Sequence, residues 1–482
     1  MEDPNASAFN RRDFLRLTAG ITATASLMPM AFAQETRPPN IVLILADDIS
    51  AREFACYGHP EHKTPVLDEM ARTGVQFQTC WATPLCSPSR AEILTGRYGF
   101  RTEWYHNSIK PAPEEPGGNI AQSNETFATL LKKAGYATAI AGKWQLRGNE
   151  IEHGFDEHCM HQKYPGFDGP VATQEMKTLP GMQTPGSVTP GIASRYWHPA
   201  VIRNDKPVPT GPDDFGPDIY VDFLLDFMER NKDRPFLAYY SMCLPHMAID
   251  FQKMKSHVYL DVPQRDPEGN KTGVRIPGNL KSNTEYIDYL VGRIVRHLEE
   301  TGLRENTILL FTGDNGTAEY GKGHLEFERG PQVPLIVNGA RTRALGPVDS
   351  LVDFSDILPT LCDLAGDRIP KDYPIDGKSF APILQGNTSD ERDWIFSFYA
   401  NLRWLRDKRW LIDAKGRFFD CKRERWDDMK YLDVTDSQNP EVIAARGRFN
   451  QILKDLPAPS EADLERLDAR QKRNKTQGDR PE

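Results

Sequence analysis

The stretch Asn40-Ile41-Val42-Leu43-Ile44-Leu45-Ala46-Asp47-Asp48 runs without a polar break from Ile41 to Ala46 and then stops at two adjacent carboxylates. A strand with one wet face alternates apolar and polar residues, whereas a strand covered on both faces reads as an unbroken apolar run. The run therefore predicts a central parallel strand between two helical layers, with Asp47 and Asp48 at its carboxyl end. Ligands in open α/β sheets bind beyond the carboxyl ends of the strands, so this end is where a site is expected.

Outward from that strand, the chain alternates in the same way. Thr64 is placed as a cap with Pro65 in the first turn; Val66, Leu67, Met70 and Ala71 give an apolar face, and Gly74 terminates. A strand from Val75 to Ala82 follows. A helix from Glu125 to Ala134 leads into a strand from Tyr136 to Ala141 that stops at Gly142-Lys143-Trp144. A helix from Asp218 to Arg230 leads into Phe236 to Met242 and then Pro245-His246. A helix from about Ser282 to Thr301, with Ser282 and Glu285 spaced as a capping box, leads into Thr307 to Thr312 and Gly313-Asp314-Asn315-Gly316. VPLIV and SDILPTLCDLAG complete the pattern. Repeated strand-helix alternation predicts a large, mostly parallel or mixed sheet sandwiched by helices, an α/β fold. Four strands then end in Asp47-Asp48, Lys143, His246 and Asp314-Asn315, and four polar ends on one edge make an active-site pattern.

Other segments read differently. From about His158 to Pro212 the chain is rich in Gly and Pro without helical period, which predicts loops and hairpins near the site, with Tyr164, Trp197 and His198 as candidate wall residues. After Asp376-Gly377, the short aromatic segments WIFSFYA, LRWLRD, KRWLIDA and RFFDCKR predict a small antiparallel sheet. From about Pro457 the chain is strongly charged, a surface helix or frayed tail. The expected organisation is thus a catalytic part over residues 34–376 and a smaller C-terminal part over 377–482.

Residues 1–33 read as an address rather than a fold. Arg11-Arg12-Asp13-Phe14-Leu15 opens an apolar stretch that closes on Ala31-Phe32-Ala33, the order of a twin-arginine (Tat) export signal with its cleavage site, which predicts a periplasmic or extracellular bacterial protein. Its three arginines (Arg11, Arg12, Arg16) balance Glu2, Asp3 and Asp13, so the net charge of −9 survives its removal. That charge provides no basic field for nucleic acid. No later stretch is long enough to span a bilayer. The seven cysteines, Cys56, Cys80, Cys86, Cys159, Cys243, Cys362 and Cys421, form no C-x-x-C pair and leave at least one unpaired. They read as small buried hydrophobes, with room for one or two disulfides.

Cys86 stands apart. Cys86-Ser87-Pro88-Ser89-Arg90, followed by A-E-I-L-T-G-R, resembles the C-x-P-S-R-x-x-x-L-T-G-R signature of type I, arylsulfatase A-like sulfatases of the alkaline phosphatase-like superfamily. A-D-D after the first strand, G-Y-A-T-A-I-A-G-K-W, P-H at His246, G-D-N-G at Asp314, K-G at Lys322 and D-G-K-S-F-A-P-I-L follow in the family's order. The resemblance implies that a formylglycine-generating enzyme oxidises Cys86, and that the hydrated aldehyde attacks the sulfur of a sulfate ester to give a covalent intermediate. It implies one calcium ion, or magnesium in its place, held by Asp47, Asp48, Asp314 and Asn315 with the converted Cys86; their hard oxygens suit such ions. Arg90, Lys143 and Lys322 correspond to the family's cations around the sulfate, and His246 to the histidine near the leaving oxygen. A sulfated small molecule or carbohydrate is the implied substrate.

Two positions depart from the family. Gln145 stands where G-K-W-H-L-G has its histidine; an amide can orient the diol but cannot take a proton near neutral pH. The expectation is that Gln145 positions the diol while another group or water accepts the proton. The stretch from Lys322 to Gly330 also departs, and makes His324 an additional candidate. The resemblance admits two alternatives: a phosphodiesterase or phosphonate monoester hydrolase of the same superfamily, or a sulfated-glycan-binding protein impaired in catalysis through Gln145.

Overall fold

Alternate residues of the strand Asn40–Ala46 enter two different cores in the computed structural model: Ile41, Leu43 and Leu45 pack on one face, and Val42, Ile44 and Ala46 on the other. The unbroken apolar run is thus the signature of a strand buried twice. The helices Cys86–Thr95, Phe127–Lys133 and Ile357–Ala365 cover the first face through Ala91, Leu130 and Leu361; the helices Pro65–Thr73, Gly216–Arg230 and Leu280–Glu300 cover the second through Leu67, Leu224 and Leu290. The structure describes residues 37–107, 118–161, 195–250, 255–389, 391–422 and 431–476. The export segment, Tyr164 and most of the 158–212 stretch lie outside them.

Among the described residues the large sheet has eleven strands. Its centre, in spatial order Thr307–Gly313, Asn40–Ala46, Phe236–Ser241, Ala137–Gly142 and Glu157–His161, is parallel throughout. On one side Leu335–Gly339 runs antiparallel to both Thr307–Gly313 and Val75–Trp81. The sheet is therefore mixed. The reversal at Leu335–Gly339 has a local cause: the chain between Gly313 and Gln332 forms turns but no crossover helix, and a parallel return needs one. Because Val75–Trp81 is antiparallel to that strand, it runs with the central strands, and its carboxyl end delivers Cys86 to the same edge as Asp47.

Two helix starts differ from expectation. The helix over residues 280–300 is capped by Asn279, whose side chain accepts from Ser282 N while Ser282 Oγ accepts from Asn279 N. Ser282 is thus the inner member of the box, and the cap lies three residues earlier than the Ser-x-x-Glu spacing implied. Thr64 makes no side-chain cap at Pro65–Thr73. Asp288 from the neighbouring helix accepts from Leu67 N at 2.8 Å and Val66 N at 3.2 Å instead, a capping role supplied across the fold.

The C-terminal sheet is antiparallel, with strands Ile395–Tyr399, Leu402–Arg406, Trp410–Ile412, Phe418–Asp420 and Leu432–Asp433. It belongs to one unit with everything from Pro38 onward. Ser397 Oγ donates to Ala82 O at 2.7 Å, and Trp404 Nε1 to Phe327 O at 2.6 Å. It therefore touches the chain just before Cys86 and just after Lys322. The charged end forms the helix Glu461–Thr476. All seven cysteines are free thiols, six of them buried and Cys56 half-buried. Among the described residues no helix is long and apolar enough to cross a membrane.

Candidate active site

Cys86 opens the helix Cys86–Thr95, all ten residues of which are buried. Its first backbone N–H groups have no helical acceptor, so that end favours anions. Asn107 holds it: its Oδ1 accepts from Ser87 N at 3.0 Å while its Nδ2 lies 3.5 Å from Cys86 Sγ. Four residues on, and hence on the same helical face, Arg90 points into the same edge. Its Nε and Nη2 reach one oxygen of Asp314 at 3.0 and 2.8 Å, and its Nη1 donates to Lys143 O and to Ser241 Oγ.

The strand ends meet as expected from their direction. Lys143 Nζ donates to both oxygens of Asp47 at 2.7 Å. Asp48 receives Asn315 Nδ2 on Oδ1 at 2.9 Å and Lys322 Nζ on Oδ2 at 3.0 Å, while its own N–H donates to Asp314 Oδ1 at 2.9 Å. His246 closes the group: its Nδ1 lies 2.6 Å from Met247 O, so the ring proton sits there, and Nε2 accepts from Lys322 Nζ at 3.2 Å. Asp48 (φ 66°) and Gln145 (φ 64°) both occupy the left-handed region. Non-glycine residues there are strained, and such strain persists where the surroundings over-determine the conformation. Gln145 adjoins the nucleophile helix, since its carbonyl accepts from Ser87 Oγ at 3.1 Å.

Burial would raise Asp47 and Asp48, but the surrounding cations outweigh it and hold both below the carboxylate range, Lys143 foremost for Asp47 and Lys322 for Asp48. Burial and the charge of Asp47 push Asp314 up to about 7 in spite of Arg90. Burial would lower Lys322, yet Asp48 keeps it above the usual range. Burial and Lys322 push His246 down to about 3, so the imidazole is neutral and accepts a hydrogen bond from the ammonium beside it.

The group can hold a divalent cation. One ligand atom from each of Asp47, Cys86 and Asp314 falls within 4.8 Å of the others, as it does for Asp47, Asp48 and His246. Asn315 Oδ1 is buried without a hydrogen-bond partner, an oxygen donor awaiting an acceptor of electrons. Three buried carboxylates and this amide oxygen form a hard donor set.

Nine of the ten residues singled out from the sequence thus lie in one connected group, and Gln145 adjoins it through its main-chain carbonyl on Ser87. The side candidates fare differently. His324 is exposed to solvent. Trp197 is engaged in packing, with Arg275 stacked 3.7 Å from its ring and Nε1 on Asp261 O. Sequence reasoning missed three residues: Asn107, Ser241 and Arg195, whose Nη1 lies 3.7 Å from Asp47 Oδ2. Ser241 had a signal, since it ends the strand before His246. Asn107 and Arg195 stand in no periodic pattern.

Residues 39–367 match the family model described as Sulfatase. Among curated proteins, the chain is 31% identical over 450 residues to steryl-sulfatase of Mus musculus, covering 78% of this chain and 69% of that protein. It is 32% identical over 385 residues to N-acetylgalactosamine-6-sulfatase of Homo sapiens, covering 73% and 67% respectively. Among solved structures, that of Ps i-CgsB in complex with k-i-k-neocarrahexaose superposes with a TM-score of 0.67 at 21% identity, over 90% of this chain and 98% of that one.

Proposed function

The chain belongs to the sulfatase family, and on that premise we propose that it hydrolyses sulfate monoesters of carbohydrates with Cys86, converted to formylglycine, as the nucleophile. The observation that carries this reading is the placing of Cys86 at a buried helix start, beside three carboxylates and the cations Arg90, Lys143 and Lys322. The family's carbohydrate-acting relatives favour the substrate class. Entry to the periplasm by the twin-arginine route belongs to the same proposal.

The hydrated formylglycine supplies two hydroxyls on one carbon, one to attack sulfur and one to release sulfate. Asp47, Asp48, Asp314 and Asn315 would hold a calcium or magnesium ion, which would supply Lewis acidity there. The chain's own residues do the rest. Asn107 and the start of the helix fix the position of residue 86. Arg90, braced by Asp314 and Ser241, keeps a positive charge beside the nucleophile, and Lys143 presents a second from the end of the strand Ala137–Gly142. Such preorganised charges act strongly because the site excludes water. Lys322 is the protonated member of its pair with His246, so its ammonium, held in place by His246 Nε2, is the proton source for the departing alcohol.

Purified, matured protein is expected to release alcohol from a sulfate ester faster than from the phosphate ester of the same alcohol. Preference for phosphorus esters would replace the reading with a phosphodiesterase or phosphonate monoester hydrolase, and binding without turnover with a glycan-binding protein. Gln145, beside the helix start, is assigned to orient the diol. Gln145→Ala is expected to lower kcat about tenfold or more, the lower end of what a positioned group at the reacting centre contributes. Gln145→His is expected to speed sulfate release, read as a smaller burst of alcohol before steady turnover, with substrate preference unchanged. Full activity in Gln145→Ala would remove the residue from the mechanism.

A further inference from the structure

An amide reaches Cys86 from outside its own helix. Trp104, Tyr105 and Asn107 are buried, and two contacts from the C-terminal sheet strap the segment they lie on: Ala400 N donates to Tyr105 O at 3.1 Å, and Tyr399 Oη lies 3.0 Å from His106 Nε2. Asn107, next along, turns both ends of its side-chain amide to the nucleophile. Nδ2 lies 3.5 Å from Cys86 Sγ, and Oδ1 lies 3.9 Å from the same atom. Ser87 N, 3.0 Å from Oδ1, decides which end is which, because a backbone N–H needs an acceptor there and an NH2 group is not one. Oδ1 has two lone pairs, so one remains for a donor at position 86.

This pair of contacts selects between the forms that residue 86 can take. A hydroxyl both donates and accepts, whereas an aldehyde oxygen only accepts. A donor and an acceptor presented together to one atom therefore fit a hydroxyl at both ends and an aldehyde oxygen at one. Asn107 and Cys86 are both buried, so water competes poorly for either contact and a mismatched end goes unpaired. Gln145 carries the same two groups, but its contact with this helix runs through its main-chain carbonyl, which accepts from Ser87 Oγ. Asn107 is thus the side-chain amide that lies against the reacting position.

We propose, resting on the conversion of Cys86 in the sulfatase reading, that Asn107 grips one hydroxyl of the hydrated residue 86 with both ends of its amide. Nδ2 donates to the hydroxyl oxygen, Oδ1 accepts from the hydroxyl, and the residue is kept in its hydrated, nucleophilic form. This is a role in the reaction beyond anchoring the helix. Hydration balances with water alone: the water oxygen bonds to the aldehyde carbon, and a water proton passes to the carbonyl oxygen. Asn107 takes no proton, since an amide binds none near neutral pH. It sets the ratio of hydrate to aldehyde.

The test reads that ratio directly by nuclear magnetic resonance, on full-length protein produced together with the converting enzyme and labelled with carbon-13 at the cysteine Cβ. Conversion moves the Cβ signal of residue 86 away from those of the other six cysteines, and hydrate and aldehyde carbons resonate far apart. The wild type is expected to be mainly hydrate. Asn107→Leu removes both contacts and is expected to lower the hydrate-to-aldehyde ratio about tenfold. Asn107→Asp still accepts from Ser87 N and keeps the helix anchored, but it cannot donate to the hydroxyl, and it is expected to lower the ratio by a smaller factor. Should Asn107→Leu not fold, Asn107→Asp decides alone. An unchanged ratio with a lowered thermal midpoint would leave Asn107 as an anchor of the helix and overturn the proposal, as would a wild type that is mainly aldehyde. Release of alcohol from a sulfate ester by the same wild-type sample scores the sulfatase reading separately. No turnover together with the expected shift in ratio removes that reading and supports the role of Asn107; turnover with an unchanged ratio does the reverse. A residue 86 that stays a thiol has no hydroxyl to grip, and overturns the proposal whatever the activity.

Discussion

Cys86→Ala is expected to abolish sulfate ester hydrolysis, with a loss of roughly 10^4-fold or more, the scale on which removal of a covalent nucleophile acts. The variant should nevertheless fold. Only Sγ is removed, the residue is 1% exposed, and the helix behind it is anchored by Ser87 N on Asn107 and by Arg90 on Asp314. Thermal midpoints of the variant and the wild type should therefore differ little while activity disappears. Mass analysis gives the second readout. Trypsin cuts after Arg72 and Arg90, and the resulting peptide carries both Cys80 and Cys86. In active protein Cys86 should have lost its sulfur to an aldehyde while Cys80 remains a thiol, an internal control that is also fully buried in the folded chain. A thiol at both positions in a fully active preparation would overturn the mechanism.

The sequence made legible what depends on local pattern. The apolar run of residues 41–46 announced a strand covered on both faces because burial on two sides removes the need for polar alternation. The polar groups at the ends of four strands came together because those strands are parallel, so direction alone decided which end they share. What stayed hidden depends on contacts distant in the chain. Leu335–Gly339 has the composition of any buried strand, and its reversed direction follows from the missing crossover helix. Asp288 caps a helix 222 residues away, a partnership no spacing rule contains. Arg195 reaches Asp47 from a Gly- and Pro-rich region without periodicity, and Asn107 reaches Cys86 from beyond the end of the signature helix. Of the site, the groups at motif positions were readable and the groups that hold them in place were not.

Asp314→Asn tests the other half of the site. Asp314 has three tasks in the structure: it accepts from Arg90 at 2.8 Å, it accepts from Asp48 N at 2.9 Å, and it stands with Asp47 and Cys86 in a set able to bind a cation. Complete truncation would leave the Arg90 guanidinium buried without its main partner, which costs about 3–5 kcal/mol and obscures the chemistry. The amide keeps the shape and can still accept from Asp48 N, but its Nδ2 then faces Arg90, which Asp314 Oδ2 had accepted from, and it contributes no charge toward a cation. Activity is expected to fall roughly 10^2 to 10^3-fold, as for loss of one charge-stabilising group in a water-excluded site. The metal should be lost with it. In the wild type, a chelator should lower both activity and thermal midpoint, and calcium or magnesium should restore them, because an ion that binds only the folded state stabilises it by mass action. The Asp314→Asn protein should contain little metal by elemental analysis and show no change in thermal midpoint with chelator. Full metal content together with a chelator-sensitive midpoint in that variant would take Asp314 out of the ligand set and leave it as the brace for Arg90. The carboxylates of Asp47 and Asp48, already engaged by Lys143 and Lys322, would then have to hold the ion with Asn315 and the converted Cys86.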